Sequence, residues 1–301
     1  MRIGVDIGGT KLEAAAMNAG GKLLLRRRTA TPRGNYDAVV EAIAELVLSV
    51  EAELDQECSL GFGIPGTISP ATGLVKNAFN SPFNGHPLDK DLAARFGRPV
   101  KLMNDANCFA LSEARDGAGA GHAVVFGAIL GTGCGSGIVI DGNVLGGRNA
   151  VAGEWGHNPL PWADGTDRPG LPCDCGKIGC IETYISGTGL TRQHAEQTEQ
   201  TLPAVQIVEN AQNGCTAALR SLARYEDQLA RALASIINVI DPDVIVLGGG
   251  MSNVERLYAN VPALWANWVF SDRVDTPLRP PLYGDSSGVR GAAWLWESPA
   301  R

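Results

Sequence analysis

Charge is scarce in this chain. Charged residues make up 19% of its 301 residues and hydrophobic residues 45%. That is too little charge for a disordered chain and enough apolar material for a real core. Nor is there an excess of positive charge: 25 Lys and Arg against 32 Asp and Glu leave a formal −7. Broad attraction to nucleic-acid phosphates is therefore disfavoured. The opening Met1-Arg2-Ile3-Gly4-Val5-Asp6 has no apolar stretch behind a basic start, so no secretory signal is visible and a cytoplasmic location is expected. The seven cysteines are an odd number, and three of them crowd between Cys173 and Cys180. This fits a reducing compartment and a metal site better than a disulfide framework. Residues 117–140 contain no Asp, Glu, Lys or Arg, long enough to raise the question of a membrane span. The same stretch holds eight glycines together with His122, Thr132 and Ser136. It reads instead as two strands, Val124 to Leu130 and Gly137 to Ile140, joined by a glycine turn.

What the chain has in abundance is glycine, 38 residues or about 13%, against a usual ~7%. The glycines gather at strand ends. A strand from Ile3 to Ile7 meets Gly8-Gly9-Thr10-Lys11 and returns as Leu12 to Met17, with a third strand over Lys22 to Thr29. Apolar residues at a 3–4 spacing predict a helix from Tyr36 to about Glu53. Short strands follow at Leu60 to Ile64 and Val100 to Met103. The second runs into Asn104-Asp105, where Asn104 is suited to cap a helix reaching about Arg115. The second half echoes the first: strand, Gly131-Thr132-Gly133, returning strand. A long helix is expected over Ala217 to Ile240, then a strand Val244 to Leu247 ending in Gly248-Gly249-Gly250, with Ser252 placed to cap the next helix. Strands alternating with helices predict an α/β protein of two related halves around a cleft, with no linker between them.

Glycines remove the Cβ atoms that keep a phosphate away from backbone N–H groups. In Asp6-Ile7-Gly8-Gly9-Thr10-Lys11, Thr10 adds a hydroxyl, Lys11 a charge, and Asp6 a carboxylate that could hold Mg²⁺ through water. The spacing is not that of a Walker loop. Taken singly, each glycine pair reads as an ordinary turn. Three glycine turns at strand ends, near residues 8, 132 and 249, are better explained by one polyphosphate ligand. Asn104-Asp105 is the candidate catalytic pair. A carboxylate in the first turn of a helix sees the positive end of its dipole and stays ionised, which suffices for phosphoryl transfer. Standing alone, the pair reads as capping chemistry.

Cys173-Asp174-Cys175-Gly176-Lys177-Ile178-Gly179-Cys180 is the sharpest local signal. Three thiols this close suit a tetrahedral Zn²⁺ with a structural role. His157 is the nearest upstream candidate for fourth ligand, and His194 is its rival. Glu154 and Glu182 flank this segment, and a carboxylate can accept hydrogen bonds from sugar hydroxyls. Taken alone, either reads as a solvated surface residue. Arg26-Arg27-Arg28 reads as a solvated strand end, and Trp294 and Trp296 as helix packing.

In this order, Asp6-Ile-Gly-Gly-Thr-Lys11, Asn104-Asp105, Gly131-Thr-Gly133, Glu154-x-x-His157 and Cys173-x-Cys175-Gly-x-x-Gly-Cys180-x-Glu182 resemble the ROK proteins (repressors, open reading frames and sugar kinases). Within that family, residues 153–162, 242–252 and 284–294 look most like bacterial fructokinase. The resemblance implies an actin-like, ribonuclease H-like fold. Its two α/β domains would span 1–115 and 116–286, with a helix at about 287–301 returning to the first. It implies an ATP- and Mg²⁺-dependent hexose kinase making fructose 6-phosphate, with mannose as a second substrate. The alternatives are a glucokinase or N-acetylhexosamine kinase on the same scaffold. Asp105 would be the general base, and Asn104, Glu154, His157 and Glu182 the sugar contacts, with Gly66 and Asn80 lining the pocket. His157 would be the fourth zinc ligand, one ring nitrogen on metal and the other facing substrate. Gly8 to Lys11 and Gly131 to Gly133 would hold the phosphates, and Gly248, Gly249 and Gly250 the adenosine side. A homodimer is implied, with no nucleic-acid or membrane partner. A sugar-responsive repressor is the reading from another class, and it is disfavoured because the first strand starts at Ile3, leaving no room for a DNA-binding helix pair.

Overall fold

The computed structural model describes residues 1–79 and 81–296. In chain order, strands β1 (Arg2–Ile7), β2 (Lys11–Met17) and β3 (Leu23–Ala30) precede helix α1 (Tyr36–Leu54). Then come β4 (Ser59–Ile64), the short strands β5 (Thr67–Ile68) and β6 (Val75–Lys76), α2 (Leu88–Phe96), β7 (Val100–Asn104) and α3 (Asp105–Arg115). The second half contains β8 (Val124–Leu130), β9 (Cys134–Ile140), β10 (Asn143–Val144), α4 (Glu182–Ile185), α5 (Gly187–Thr198), α6 (Ala204–Gln212) and α7 (Thr216–Ile240). It closes with β11 (Val244–Gly248), α8 (Leu257–Leu264), β12 (Leu278–Arg279) and α9 (Ser287–Trp294). Residues 117–140 thus form strands, and no helix among the described residues is long and apolar enough to cross a membrane.

One five-stranded sheet runs β3-β2-β1-β4-β7 and the other β10-β9-β8-β11-β12. In the first, β1 pairs antiparallel with β2 (Val5 opposite Ala14) and parallel with β4 (Val5 opposite Phe62). In the second, β11 lies parallel to both β8 and β12. The central strands are near-continuous apolar runs, as strands covered on both faces must be. Helix α1 begins at Asn35, whose side chain accepts the N–H of Ala38. It buries Val39, Ile43, Leu46, Val47 and Val50, the stripe that its spacing predicts.

Contacts divide the chain into two compact units. One takes Met1–Gly121, Gly137–Ala152 and the chain from Leu282. The other takes His122–Ser136 and Gly153–Pro281. The sequence offered no cue that Gly137–Ala152 would leave the segments around it. The cause is local packing. A Cβ at Gly137 would stand 2.8 Å from the Ala106 carbonyl oxygen on α3, and Val144 packs on Met17, Leu111 and Trp294.

Helix α9 lies in the first unit, where glycines let main chain meet main chain. An added Cβ would stand 1.9 Å from Val289 O at Gly4, 1.9 Å from Ala292 O at Gly61, and 1.7 Å from Cys108 O at Gly291. Buried Glu113 on α3 fastens this packing: it accepts the Ser287 hydroxyl (2.6 Å) and the N–H groups of Ala118 (2.8 Å) and Leu282 (3.1 Å). Arg290 binds Asp116 and donates to Gly21 O at 3.0 Å. The Trp296 indole donates to Leu60 O at 2.6 Å. Ser252 does not cap α8. The chain makes a 3-10 turn over Gly250–Asn253 first, and the Ser252 hydroxyl donates to Gly249 O at 2.7 Å.

Gly61→Ala forces α9 off the sheet and should destabilise the protein by ~1–3 kcal/mol, the usual range for overpacking. A urea melt that leaves the midpoint unchanged would refute this packing role.

Candidate functional site

The first unit carries one group of the expected site residues. Asp6 is the penultimate residue of the central strand β1, and the Gly8–Lys11 turn leads from that strand into β2. The turn is held by Gly8 N–H on Lys11 O (3.0 Å) and by the Thr31 hydroxyl on Gly8 O (2.7 Å), leaving Gly9 and Thr10 exposed. Lys11 Nζ lies 3.7 Å from buried Glu13, which also receives Arg28 Nε at 2.7 Å and Arg26. Burial opposes the Glu13 charge, but Arg26 and Arg28 outweigh it and hold the carboxyl below its ordinary value. The arginine run is therefore paired through Glu13, and through Arg27 with Glu53.

Asp105 opens α3. Its Oδ1 accepts the N–H of Ala106 at 2.8 Å, while Asn104 caps the helix by accepting Ala106 N–H (3.0 Å) and Asn107 N–H (3.3 Å). The Asn104 amide donates to Gly66 O at 3.2 Å. Gly66 has φ +71°, and a Cβ there would meet Lys76 O at 2.3 Å, so only glycine fits. Asn80 lies outside the described residues. Asp6 is enclosed: Cβ atoms added to Gly63 or Gly288 would stand 3.8 or 3.6 Å from its carboxylate. Burial pushes its carboxyl up to about 6, Asp105 and Glu13 adding to the shift and Lys11 opposing it. Two neighbouring carboxylates, one of them poorly solvated, make a region that a hard divalent cation would neutralise.

The second unit carries the rest. Gly131-Thr132-Gly133 joins β8 to β9, closed by Gly131 N–H on Gly133 O at 3.0 Å. Gly249 backs directly onto it. Its φ is +75°, and a Cβ would lie 2.5 Å from Leu130 O and 2.9 Å from Gly131 N. The structure thus brings these two glycine turns together on one cavity of about 710 Å³. Gly131, Thr132, Gly250 and Met251 form one side, and Gly187, Thr188, Thr191, Ala204, Val205, Val208, Glu209 and Gln212 of α5 and α6 the other. That volume falls in the range of small-molecule sites. The α5 and α6 wall escapes motif reasoning. Its one signal is the helical spacing of Val205, Val208 and Gln212 facing out while Ile207 and Ala211 are buried.

His157 and Cys173, Cys175 and Cys180 form a cluster whose ligand atoms all lie within 4.8 Å of one another. Cys175 Sγ is 3.6 Å from Cys180 Sγ, and Cys173 Sγ is 3.5 Å from His157 Nδ1. A zinc tetrahedron with Zn–S about 2.3 Å and Zn–N about 2.0–2.1 Å has edges of roughly 3.5–3.8 Å, so this donor set fits that ion. All four protein positions are filled, as in structural rather than hydrolytic sites. His194 is elsewhere, buried in α5 with Nδ1 2.8 Å from Ser221 Oγ. His157 Nε2 faces Glu154 at 3.9 Å. Glu182 Oε2 accepts the N–H of Cys134 at 2.9 Å, and its Oε1 is 3.6 Å from Cys173 Sγ.

Comparison with known proteins adds the family. The ROK family model matches residues 2–298. The chain belongs to the ROK family. An N-acetyl-D-glucosamine kinase of Pectobacterium atrosepticum is 39% identical over 300 residues, covering 98% of each chain. The ROK hexokinase of Thermus thermophilus superposes with TM-score 0.85 at 31% identity, over 97% of this chain and 96% of that one. The ROK glucokinase of Streptomyces griseus, solved with glucose and AMPPNP, gives TM-score 0.81 at 31% identity over 98% of both. The fold is accordingly the actin-like ATPase fold with two α/β domains.

Asp6 supplies a pH test. A carboxyl raised from 3.8 to about 6 on folding makes its stabilising contribution at low pH and loses it as pH rises through 6. Asp6→Asn escapes that loss. In metal-free buffer its melting temperature should exceed the wild type's at pH 8, and the gap should close towards pH 4. A gap that does not change with pH would rule out the shift.

Proposed function

We propose that this ROK sugar kinase transfers the γ-phosphate of ATP to the 6-hydroxyl of N-acetyl-D-glucosamine. The observation that carries the substrate is the 39% identity with an N-acetyl-D-glucosamine kinase over 98% of both chains. The segments 153–162, 242–252 and 284–294 pointed to fructose, with a glucokinase or an N-acetylhexosamine kinase as the alternatives. Likeness sustained along nearly the whole chain favours the N-acetylhexosamine alternative, because sugars that differ by one or two substituents are told apart by pocket residues outside the motifs.

The chemistry follows from the residues in hand. Asp105 takes the proton of the attacking hydroxyl. An ionised carboxylate at a helix N-terminus is a weak base, but the loose transition state of phosphoryl transfer lets that proton leave late. Asn104, Glu154, His157 and Glu182 hold the sugar hydroxyls, and Gly66 shapes the backbone that Asn104 reads. The glycine turns at Gly8–Lys11 and Gly131–Gly133 offer N–H groups to the phosphates, and Gly248–Gly250 with α6 accommodate the nucleoside. Mg²⁺, when bound, neutralises phosphate charge, and Asp6 is the carboxylate suited to hold it. Zn²⁺ would sit on His157, Cys173, Cys175 and Cys180 and stiffen the segment that carries Glu154 and Glu182.

A panel of N-acetylglucosamine, N-acetylmannosamine, glucose, mannose and fructose, with ADP release coupled to a dye, decides the substrate. The highest kcat/KM is expected for N-acetylglucosamine, and a maximum at fructose would restore the first reading. Asp105→Asn should reduce kcat by ~10² or more while the protein stays folded. Turnover near the wild type's would exclude it as the base.

A further inference from the structure

We propose that the corner formed by the single-turn helix α4 and the start of α5 clamps both ends of the Gly131–Gly133 turn, with Glu182 as its positioning residue, and thereby couples the metal-ligating segment to nucleotide affinity. This rests on reading the 710 Å³ cavity as the nucleotide site.

The helix starts two residues after Cys180, a cluster ligand. Its first turn is fastened to that cysteine: Cys180 O accepts the Thr183 N–H at 2.9 Å and the Thr183 hydroxyl at 2.7 Å. From its first residue, Glu182 reaches the far end of the glycine turn, where Oε2 accepts Cys134 N–H at 2.9 Å. The carboxylate packs on Gly133, where a Cβ would stand 2.6 Å from Oε2. From just beyond the other end of α4, Gly187 N–H donates to Gly131 O at 2.8 Å. The corner of α4 and α5 therefore grips the turn at both ends, α4 through Glu182 at the exit and the first residue of α5 at the entrance.

The grip is stiff. Gly189 in α5 lies against α4 with no room for a Cβ, which would meet Thr183 O at 2.6 Å. The Ser186 hydroxyl caps α5 through Gly189 N–H at 2.9 Å. Gly131, Thr132, Gly187 and Thr188 all line the cavity, so a shift of α4 moves two sides of it together. Metal binding is coupled to the ordering of its loop, and coupling between two sites is reciprocal by thermodynamic necessity. A Glu182 that served the sugar alone would leave nucleotide affinity untouched when no sugar is present.

The test uses the full, zinc-loaded chain without sugar. Calorimetry measures AMPPNP with Mg²⁺ on wild type, Glu182→Ala and Glu182→Gln. Alanine should weaken nucleotide binding about tenfold, within the usual span of coupling. Glutamine keeps a carbonyl for Cys134 N–H and should stay within about threefold. In parallel, equilibrium competition with a chromophoric chelator should show AMPPNP tightening zinc on the wild type by a similar factor. Alanine binding AMPPNP as tightly as wild type overturns the clamp. So does a zinc affinity indifferent to AMPPNP in the wild type, and this arm decides if the alanine variant does not fold. Wild type that binds no AMPPNP removes the kinase reading and this inference with it. Binding that ignores zinc removes this inference alone.

Discussion

Main chain meeting main chain, with no side chain between, is the constraint on which the rest of this structure depends. Gly4, Gly61 and Gly291 seat α9 against β1, β4 and α3 at distances no Cβ would tolerate. Gly249 does the same for the two glycine turns of the second unit. Each contact exchanges side-chain packing for position, and glycine in a regular element costs ~0.5–1 kcal/mol relative to alanine. A chain that accepts this cost repeatedly is fixing where its backbone amides and carboxylates stand. The carboxylate of Asp6 stands beside two other glycines, Gly63 and Gly288, with ordinary van der Waals clearance to a Cβ at each.

Burial then does chemical work. Desolvation raises the Asp6 carboxyl to about 6, and Asp105 and Glu13 push in the same direction. After burial itself, Asp6 and Asp105 both contribute to raising the thiol of Cys108. An environment that resists negative charge at Asp6 is one that rewards a cation beside it. Asp105 differs because its Oδ1 takes a backbone N–H at a helix start. Two nearby aspartates are thereby given unequal surroundings, the difference that the proposed division between a cation-holding Asp6 and a proton-accepting Asp105 would use.

Much of this was legible in the sequence, for identifiable reasons. Glycine turns, the Asn104 cap and the cysteine spacing are local signals, because a left-handed φ, a capped N–H or a ligand tetrahedron constrains residue type directly. The α1 stripe is legible through its period. What escaped is what depends on distant partners. Helix α2 has no side-chain cap, only Pro87 before it. The cavity wall on α6 is a plain amphipathic surface until α5 stands beside it. Gly137–Ala152 joins the first unit because α3 and Trp294 receive it, and no residue within that stretch announces this. Ser252 misled because a Ser near a strand end satisfies a 3-10 turn as readily as a helix cap.

The segment from Gly153 to Ile181 shows how a site can be held by few regular hydrogen bonds. Apart from a 3-10 turn at Trp155–His157 it has no helix, and its ladder contacts are two isolated bridges, Pro159 to Cys180 and Pro172 to Ile178. Its middle is pinned by Asp167, which receives Arg231 at 2.8 Å and Gln228 at 2.9 Å, while its carbonyl accepts the Tyr184 hydroxyl at 2.7 Å. Burial works against the Asp167 charge, yet Arg231 and Gln228 outweigh it and keep the carboxyl below its ordinary value. A buried ion pair of this kind returns little net stability once desolvation is counted, but removing one partner is costly, so it specifies one arrangement over others. The free energy that orders the segment must come from elsewhere, and a closed Cys₃His donor set is suited to supply it, since metal affinity at such a set is folding free energy. Polar pairing chooses the path of the loop, and a metal on the ligand cluster would hold it there. That division bears on Glu154, which lies on this stretch with almost no secondary structure, while Glu182 follows it as the first residue of α4.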